Sequence, residues 1–219
     1  MTNPITDIVN SGPLLMQGAA KTVEIWLGAL SISLTIGTLW GIFRSRRLTL
    51  YGLTNVLDGI TFLLRGIPFY VQLLIAYFVL PDLIGINISA STTAIFSLGL
   101  CSAAYVSQIV RAGINTIPRG QWEAAMVLGY TTFDTIRYII IPQTIRAVLP
   151  ALTGECDQLL KTTSVISTIG VLELTNAAKN IIAREMNPLT MYLTIAMIYL
   201  IMSSILTTVS GSIEKRLCS

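Results

Sequence analysis

Residues 189–213, LTMYLTIAMIYLIMSSILTTVSGSI, form a run of 25 without a single Asp, Glu, Lys or Arg. No other feature constrains the fold as much. A helix needs about 20 consecutive apolar residues to cross the hydrocarbon core of a bilayer, and a uniformly apolar run of this length suits lipid better than water. The pattern recurs. Residues 23–43 hold one charge, Glu24, and residues 93–110 hold none before Arg111. Composition agrees: 11% of the chain is charged and 53% is hydrophobic, against roughly 25% charged in soluble domains. The expected fold class is an all-α membrane protein forming a single domain, 1–219.

About five transmembrane helices are expected, near 15–43, 51–80, 91–112, 143–172 and 189–213. The second is interrupted by Arg65, Gly66 and Pro68, and a break is expected there because proline has no backbone donor. The fourth carries Glu155, Asp157 and Lys161 and is expected to be broken at Pro150 and Gly154. In the first, Gly37 and Gly41 have the GxxxG spacing that lets a second helix approach closely. Glycine drift in an apolar helix accounts for the pair equally well. The opening residues lack a basic stretch ahead of an apolar one, so a cleaved signal peptide is not expected.

Several chemistries are excluded. The chain has no histidine, the commonest general base and metal ligand. Cys101, Cys156 and Cys218 lie far apart and match no metal spacing. Neither catalytic residues nor a metal site are expected. A net charge of +3 is too small to imply nucleic acid. No GxxxxGK[ST] loop is present, so any ATP hydrolysis has to come from another chain.

Basic residues in short loops orient the spans. Arg44, Arg46, Arg47, Arg111, Arg119, Arg137, Arg146, Lys215 and Arg216 fall on one side, nine in all, against Lys21, Lys179 and Arg184 on the other. This asymmetry puts the N-terminus outside, the C-terminus in the cytoplasm, and the loop 115–142 in the cytoplasm.

That loop is the most polar long segment. Residues 122–128 are good helix formers. Gly129 fits the left-handed position that ends a helix. Thr131 or Thr132 can cap a second helix, with Asp134 in its first turn. Phe133, Ile136 and Ile140 repeat on one face, and Pro142 fits the start of the next helix. Two short helices meeting at a glycine corner are expected. A DNA-binding helix-turn-helix is disfavoured, because the unit sits between spans and lacks a basic recognition face. A merely solvated helical loop and a docking element that passes force to a partner both fit the pattern.

The segment EAAMVLGYTTFDTIRYIIIP resembles the EAA motif of permease subunits in bacterial ABC importers, with Glu123, Ala124, Ala125, Gly129, Ile140 or Ile141, and Pro142 at the motif positions. The stretches LLRGIPFYVQLLIAYFVLP, CSAAYVSQIVRAGINTIPRGQWEAA and LLKTTSVISTIGVLEL resemble the corresponding runs of polar-amino-acid permeases of the histidine, glutamine and arginine group. The resemblance covers nearly the whole chain. It implies a type I importer permease of about five spans that pairs with a second permease subunit, identical or different. The first helix of the loop would be a coupling helix lying in a groove of a cytoplasmic ABC ATPase subunit. ATP and Mg2+ would be bound by that partner, with no cofactor in this chain. A periplasmic or extracellular amino-acid-binding protein would deliver substrate in the bacterial inner membrane. An ion-coupled secondary transporter of amino acids is the alternative, but the inverted repeats it needs are not seen.

Three positions depart from the family pattern: Gln108, Thr162 and Asp157. Ionised groups in a bilayer cost about 2.5 to 3.5 kcal/mol each on insertion scales. Glu155 and Asp157 therefore call for a partner or a substrate, and Lys161, four residues after Asp157, can pair with it. The expected substrate path comprises Arg65, Pro68, Gln72, Glu155, Asp157 and Thr162; internal pairing of the acids with Lys161 to hold the broken helix, and snorkelling of Arg65 to an interface, fit the same residues. One surplus acid would lean the path toward a cationic amino acid.

Overall fold

The computed structural model describes residues 4–46 and 51–218, and among them every regular element is helical. Arg47 of the orienting count falls outside the described residues. Helix α1, Pro4–Phe43, leads to α2, Tyr51–Gly66. After a break come α3, Phe69–Leu74, a π turn, Ile75–Val79, and α4, Leu80–Ile84. Helix α5, Ala90–Thr116, precedes α6, Arg119–Val127, and α7, Thr132–Asp134. A second π turn, Thr135–Ile140, runs into α8, Ile141–Thr162. A 3-10 turn, Thr163–Ile169, then α9, Leu174–Glu185, and α10, Pro188–Cys218, complete the chain.

Among the described residues, three helices are long and apolar enough to cross a membrane: Asn10–Phe43 within α1, all of α5, and Pro188–Arg216 within α10. The bent pair Gly52–Gly66 and Phe69–Ile84 makes a fourth if counted as one span. Its 103° bend falls at the residues read as a breaker. Pro68 caps α3, and the Gln72 amide donates to the carbonyls of Leu64 (2.8 Å) and Ile67 (2.7 Å). Those carbonyls lie in the last turn of α2 and the link beyond it, which the break leaves short of helical donors.

The expected fourth span is different from the sequence reading. Helix α8 has 22 residues but four charges, Arg146, Glu155, Asp157 and Lys161, so it has the length of a span without the apolarity. It is also unbroken at Pro150 and Gly154. Regular helix gives way only at the 3-10 turn, which ends on Gly170 at φ +81°.

The centre of the molecule is the α1–α5 pair. A Cβ placed on Gly37 would lie 2.7 Å from Val106 Cβ, and one on Gly41 would lie 2.6 Å from Val110 Cβ. The GxxxG spacing therefore marks a true helix contact. Farther down α5, Val148 of α8 lies so close to Gly113 that no side chain fits there. Buried Ile25, Ala29, Leu73, Leu98, Leu159 and Ile166 tie α1, α3, α5, α8 and the 3-10 turn into one core. A second core holds α9 and α10 through Leu174, Ile181 and Met191. Only 11% of the most apolar window of α10 is buried, so most of that helix is left uncovered by the described residues.

At the end of α1, the Arg44 side chain is buried. It donates to Asp58 of α2 and to Ser107 of α5, each at 2.6 Å. Arg111 adds a 3.2 Å contact to the same Asp58 oxygen.

Candidate functional site

Two regions carry the polar side chains that the fold leaves available. The first is a cavity of about 350 Å3 where the α2–α3 break faces the α5–α8 seam. Arg65 and Pro68 enter from the break, Cys101, Ser102 and Tyr105 from α5, and Glu155, Gln158 and Thr162 from α8. The α8 residues share one face because they recur at three- and four-residue intervals on an unbroken helix. Glu155 accepts a 2.6 Å hydrogen bond from Ser102, which in turn receives one from Ser33 of α1 at 2.8 Å. The Arg65 guanidinium sits 5.2 Å from the Tyr105 ring centroid, within cation–π range.

Four of the six residues assigned to the path meet here: Arg65, Pro68, Glu155 and Thr162. Gln72 does not, because its amide holds the α2–α3 break. Asp157 does not either. It pairs with Lys161 at 2.6 Å and accepts from Ser203 of α10. Two positions beyond Glu155 on a continuous helix, it is rotated about 200° away. The break once expected at Gly154, which would have let both acids face one side, is absent. Ser102, Tyr105 and Gln158 were not singled out from the sequence. Ser102 stands in the CSAAY run, but nothing local signals that it meets an acid 53 residues later.

The second region is the elbow that follows α5. Helix α6 ends in a Schellman arrangement: Tyr130 N–H donates to Ala125 O and Gly129 N–H to Met126 O, each at 3.0 Å. Gly129 takes φ +81°, the left-handed corner expected of it. Thr131 caps the next helix by accepting from Asp134 N–H at 3.1 Å. Glu123 and Ala124 are exposed, as is the apolar tip formed by Met126, Val127 and Leu128. Ala125 points inward and is 1% exposed, so its small size serves packing within this chain.

Pro142 stands in the first turn of α8, as expected of it, although no loop separates α8 from what precedes it. The backbone stays right-handed from Thr132 through both sides of the π turn into α8, and Pro142 lies just past that turn, within the rod. Proline lacks a donor and clashes with the carbonyl four residues back, and the wider π turn accommodates both. Phe133 is 67% exposed while Ile140 is 2% exposed, because the same turn rotates them out of register. Beside α6, a cavity of about 440 Å3 is lined by Arg46, Asn115, Arg119, Trp122 and Glu123, among others.

Known proteins place this architecture. The family described as "Binding-protein-dependent transport system inner membrane component" matches residues 33–218. The chain is 38% identical to the probable amino-acid ABC transporter permease protein YckA of Bacillus subtilis (strain 168), over 95% of this chain and 91% of that protein. It is 34% identical to the arginine transport system permease protein ArtQ of the same organism, over 94% of each. It is also 34% identical to the glutamine transport system permease protein GlnP of Escherichia coli (strain K12), over 94% of this chain and 93% of that one. A crystal structure of an amino acid ABC transporter with histidines superposes with a TM-score of 0.89 at 33% identity, covering 99% of this chain and 100% of that one. The inward-facing MetNI methionine ABC transporter shares the fold, with a TM-score of 0.81 at 19% identity, covering 99% of each chain. With a family match across residues 33–218 and these relatives along nearly its full length, the chain belongs to the inner-membrane components of binding-protein-dependent transport systems, as an amino-acid ABC transporter permease.

Proposed function

We propose that the Arg65–Glu155 cavity is a station on the path of a polar amino acid, and that a separate ATPase subunit drives the permease through the α6 elbow. One observation carries the first half. Opposite charges enter one cavity from two elements, Arg65 from the break and Glu155 from α8. An α-amino acid is a zwitterion. Its ammonium suits Glu155 and its carboxylate suits Arg65, leaving Gln158 and Thr162 for the side chain. Glu155 is half-buried and Arg65 exposed, so the carboxylate carries the greater desolvation cost, and a solute ammonium would offset it. Because Asp157 is neutralised by Lys161 outside the cavity, no surplus acid remains and the lean toward a cationic substrate loses its basis.

In this reading a second permease subunit closes the open side of the path, and a binding protein supplies substrate from outside. ATP and Mg2+ act in the ATPase subunit, while this chain contributes no catalytic group. The elbow faces the cytoplasm, with the N-terminus outside. Membership of the ABC permease family supports this scheme over an ion-coupled transporter.

The test is amino-acid uptake by proteoliposomes containing the ATPase and binding protein. Arg65→Gln and Glu155→Gln should each reduce uptake on the order of tenfold, the loss of one charge-assisted contact, with assembly preserved. Normal uptake by both variants would remove the cavity from the path. Orientation is checked separately with a thiol reagent that cannot cross the membrane. It should reach Asn87→Cys from outside and fail to reach Arg119→Cys, and the reverse pattern would overturn the topology.

A further inference from the structure

The cavity beside α6 is not used by the scheme above. Arg46, at the end of α1, and Arg119, at the start of α6, both line it, and Glu123 is the single acid among its lining residues. Among the described residues, neither guanidinium forms an ion pair, and Glu123 forms none. Among the described residues, the notch thus holds two bases and one acid, a surplus of one positive charge.

Its wall is rigid on the α1 side. The Arg46 backbone N–H donates to the Asn115 side chain at 3.1 Å, fixing the end of α1 to the end of α5. Two residues earlier, Arg44 is bound to Asp58 of α2 and Ser107 of α5. On its other side the notch adjoins α6, whose tip exposes Met126 at 62%, Val127 at 88% and Leu128 at 74%. That tip is the apolar surface a docking partner would cover.

We propose that the notch receives a carboxylate side chain of the ATPase subunit, held between Arg46 and Arg119, so that the ATPase grips the end of α1 as well as α6. This rests on the reading that α6 docks on the ATPase. Guanidinium groups suit the site because each presents a planar fork of donors to a carboxylate, and such charge-assisted contacts are the strong ones. Two forks converging on one acid also relieve their mutual repulsion. Load applied there passes through Asn115 into α5 and through Arg44 and Asp58 into α2. The ATPase would then act on three helices that do not belong to the elbow.

The experiment uses the reconstituted permease–ATPase complex and a zero-length carbodiimide. Arg46→Lys and Arg119→Lys each keep the charge but supply a primary amine. The reagent adds to a neighbouring carboxylate as an O-acylisourea; the amine attacks its acyl carbon, forming the amide and releasing the reagent as its urea. Both variants are expected to cross-link to the same acidic residue of the ATPase, as identified by mass spectrometry. Arg46→Glu combined with Arg119→Glu is expected to weaken ATPase binding about tenfold or more. A Val127→Cys thiol cross-link to the ATPase serves as the control for the underlying reading. If Val127→Cys links and neither lysine variant does, the notch proposal fails while elbow docking stands. If Val127→Cys does not link to co-purified ATPase, elbow docking itself fails. A double reversal that leaves ATPase affinity unchanged but abolishes a preference for phosphatidylglycerol over phosphatidylcholine vesicles would assign the notch to lipid headgroups and overturn the proposal.

Discussion

Ser102 donates to Glu155 across the α5–α8 seam at 2.6 Å and, among the described residues, is the one side chain that satisfies this acid. Removing it leaves the carboxylate dependent on water or solute. Ser102→Ala is expected to cost about 1 kcal/mol of stability and to shift the apparent affinity for the transported amino acid severalfold. Uptake at varied binding-protein concentration, set against thermal unfolding in detergent, separates the two effects. An unchanged uptake curve would show that the hydrogen bond serves only the scaffold.

Asp58 joins three helices by accepting from Arg44 and Arg111. The Arg44 side chain is 3% exposed while that of Asp58 is 42% exposed. Removing the acid strands a buried cation, which costs about 3 to 5 kcal/mol for a fully buried pair, and solvent at Asp58 reduces this toward about 2 kcal/mol. Asp58→Ala should lower the melting temperature and expose α2 to limited proteolysis. Arg44→Met in the same background should recover part of the loss, because the stranded charge is gone. Failure of that rescue would show that Asp58 matters for some other contact.

Glycines divide into two groups that substitution should tell apart. Gly37→Leu or Gly41→Leu forces a side chain into Val106 or Val110, where even a Cβ is too close. Such overpacking costs about 1 to 3 kcal/mol or more and should reduce the yield of folded protein. Gly59 lies on α2 with nothing within 4 Å of an added Cβ. Gly59→Ala should raise stability by a few tenths to about 1 kcal/mol through helix propensity. Thermal unfolding of the purified permease reads all three.

Gly129→Val places a β-branched residue at φ +81°. The strain is about 1 to 2 kcal/mol, confined to an exposed elbow, so folding should survive. Substrate-stimulated ATP hydrolysis by the reconstituted complex should fall severalfold. Full stimulation would show that the corner is dispensable for coupling.

What the sequence displayed was whatever local chemistry determines. Pro68 and Gly66 mark the break and Gly129 the corner; the cap is narrowed to Thr131 or Thr132, and the Gly37–Gly41 spacing allows a close helix contact without naming α5 as the partner. Directions beyond one turn were harder to read. Pro150 and Gly154 are helix breakers by propensity, yet α8 passes through both because packing against α5 and α10 holds it. The facing of Phe133 against Ile140 depended on a π turn, and one extra residue per turn shifts every later side chain by about 100°. Asp157 meets Ser203 and Glu155 meets Ser102 through contacts 46 and 53 residues apart, which no local pattern encodes.

The rod from Thr132 to Thr162 has a mechanical consequence. Val148, seated against Gly113, is a close contact of this rod with α5 and lies between the elbow and Glu155. At about 1.5 Å per residue, the arm from Thr132 to Val148 is roughly 24 Å and that from Val148 to Glu155 roughly 10 Å. A rod pivoting at Val148 would act as a lever. A push at the elbow would reach Glu155 with less than half the travel and more than twice the force. A tilt of about 5° moves the elbow end about 2 Å and the acid about 1 Å, enough to lengthen the Ser102 hydrogen bond beyond useful range.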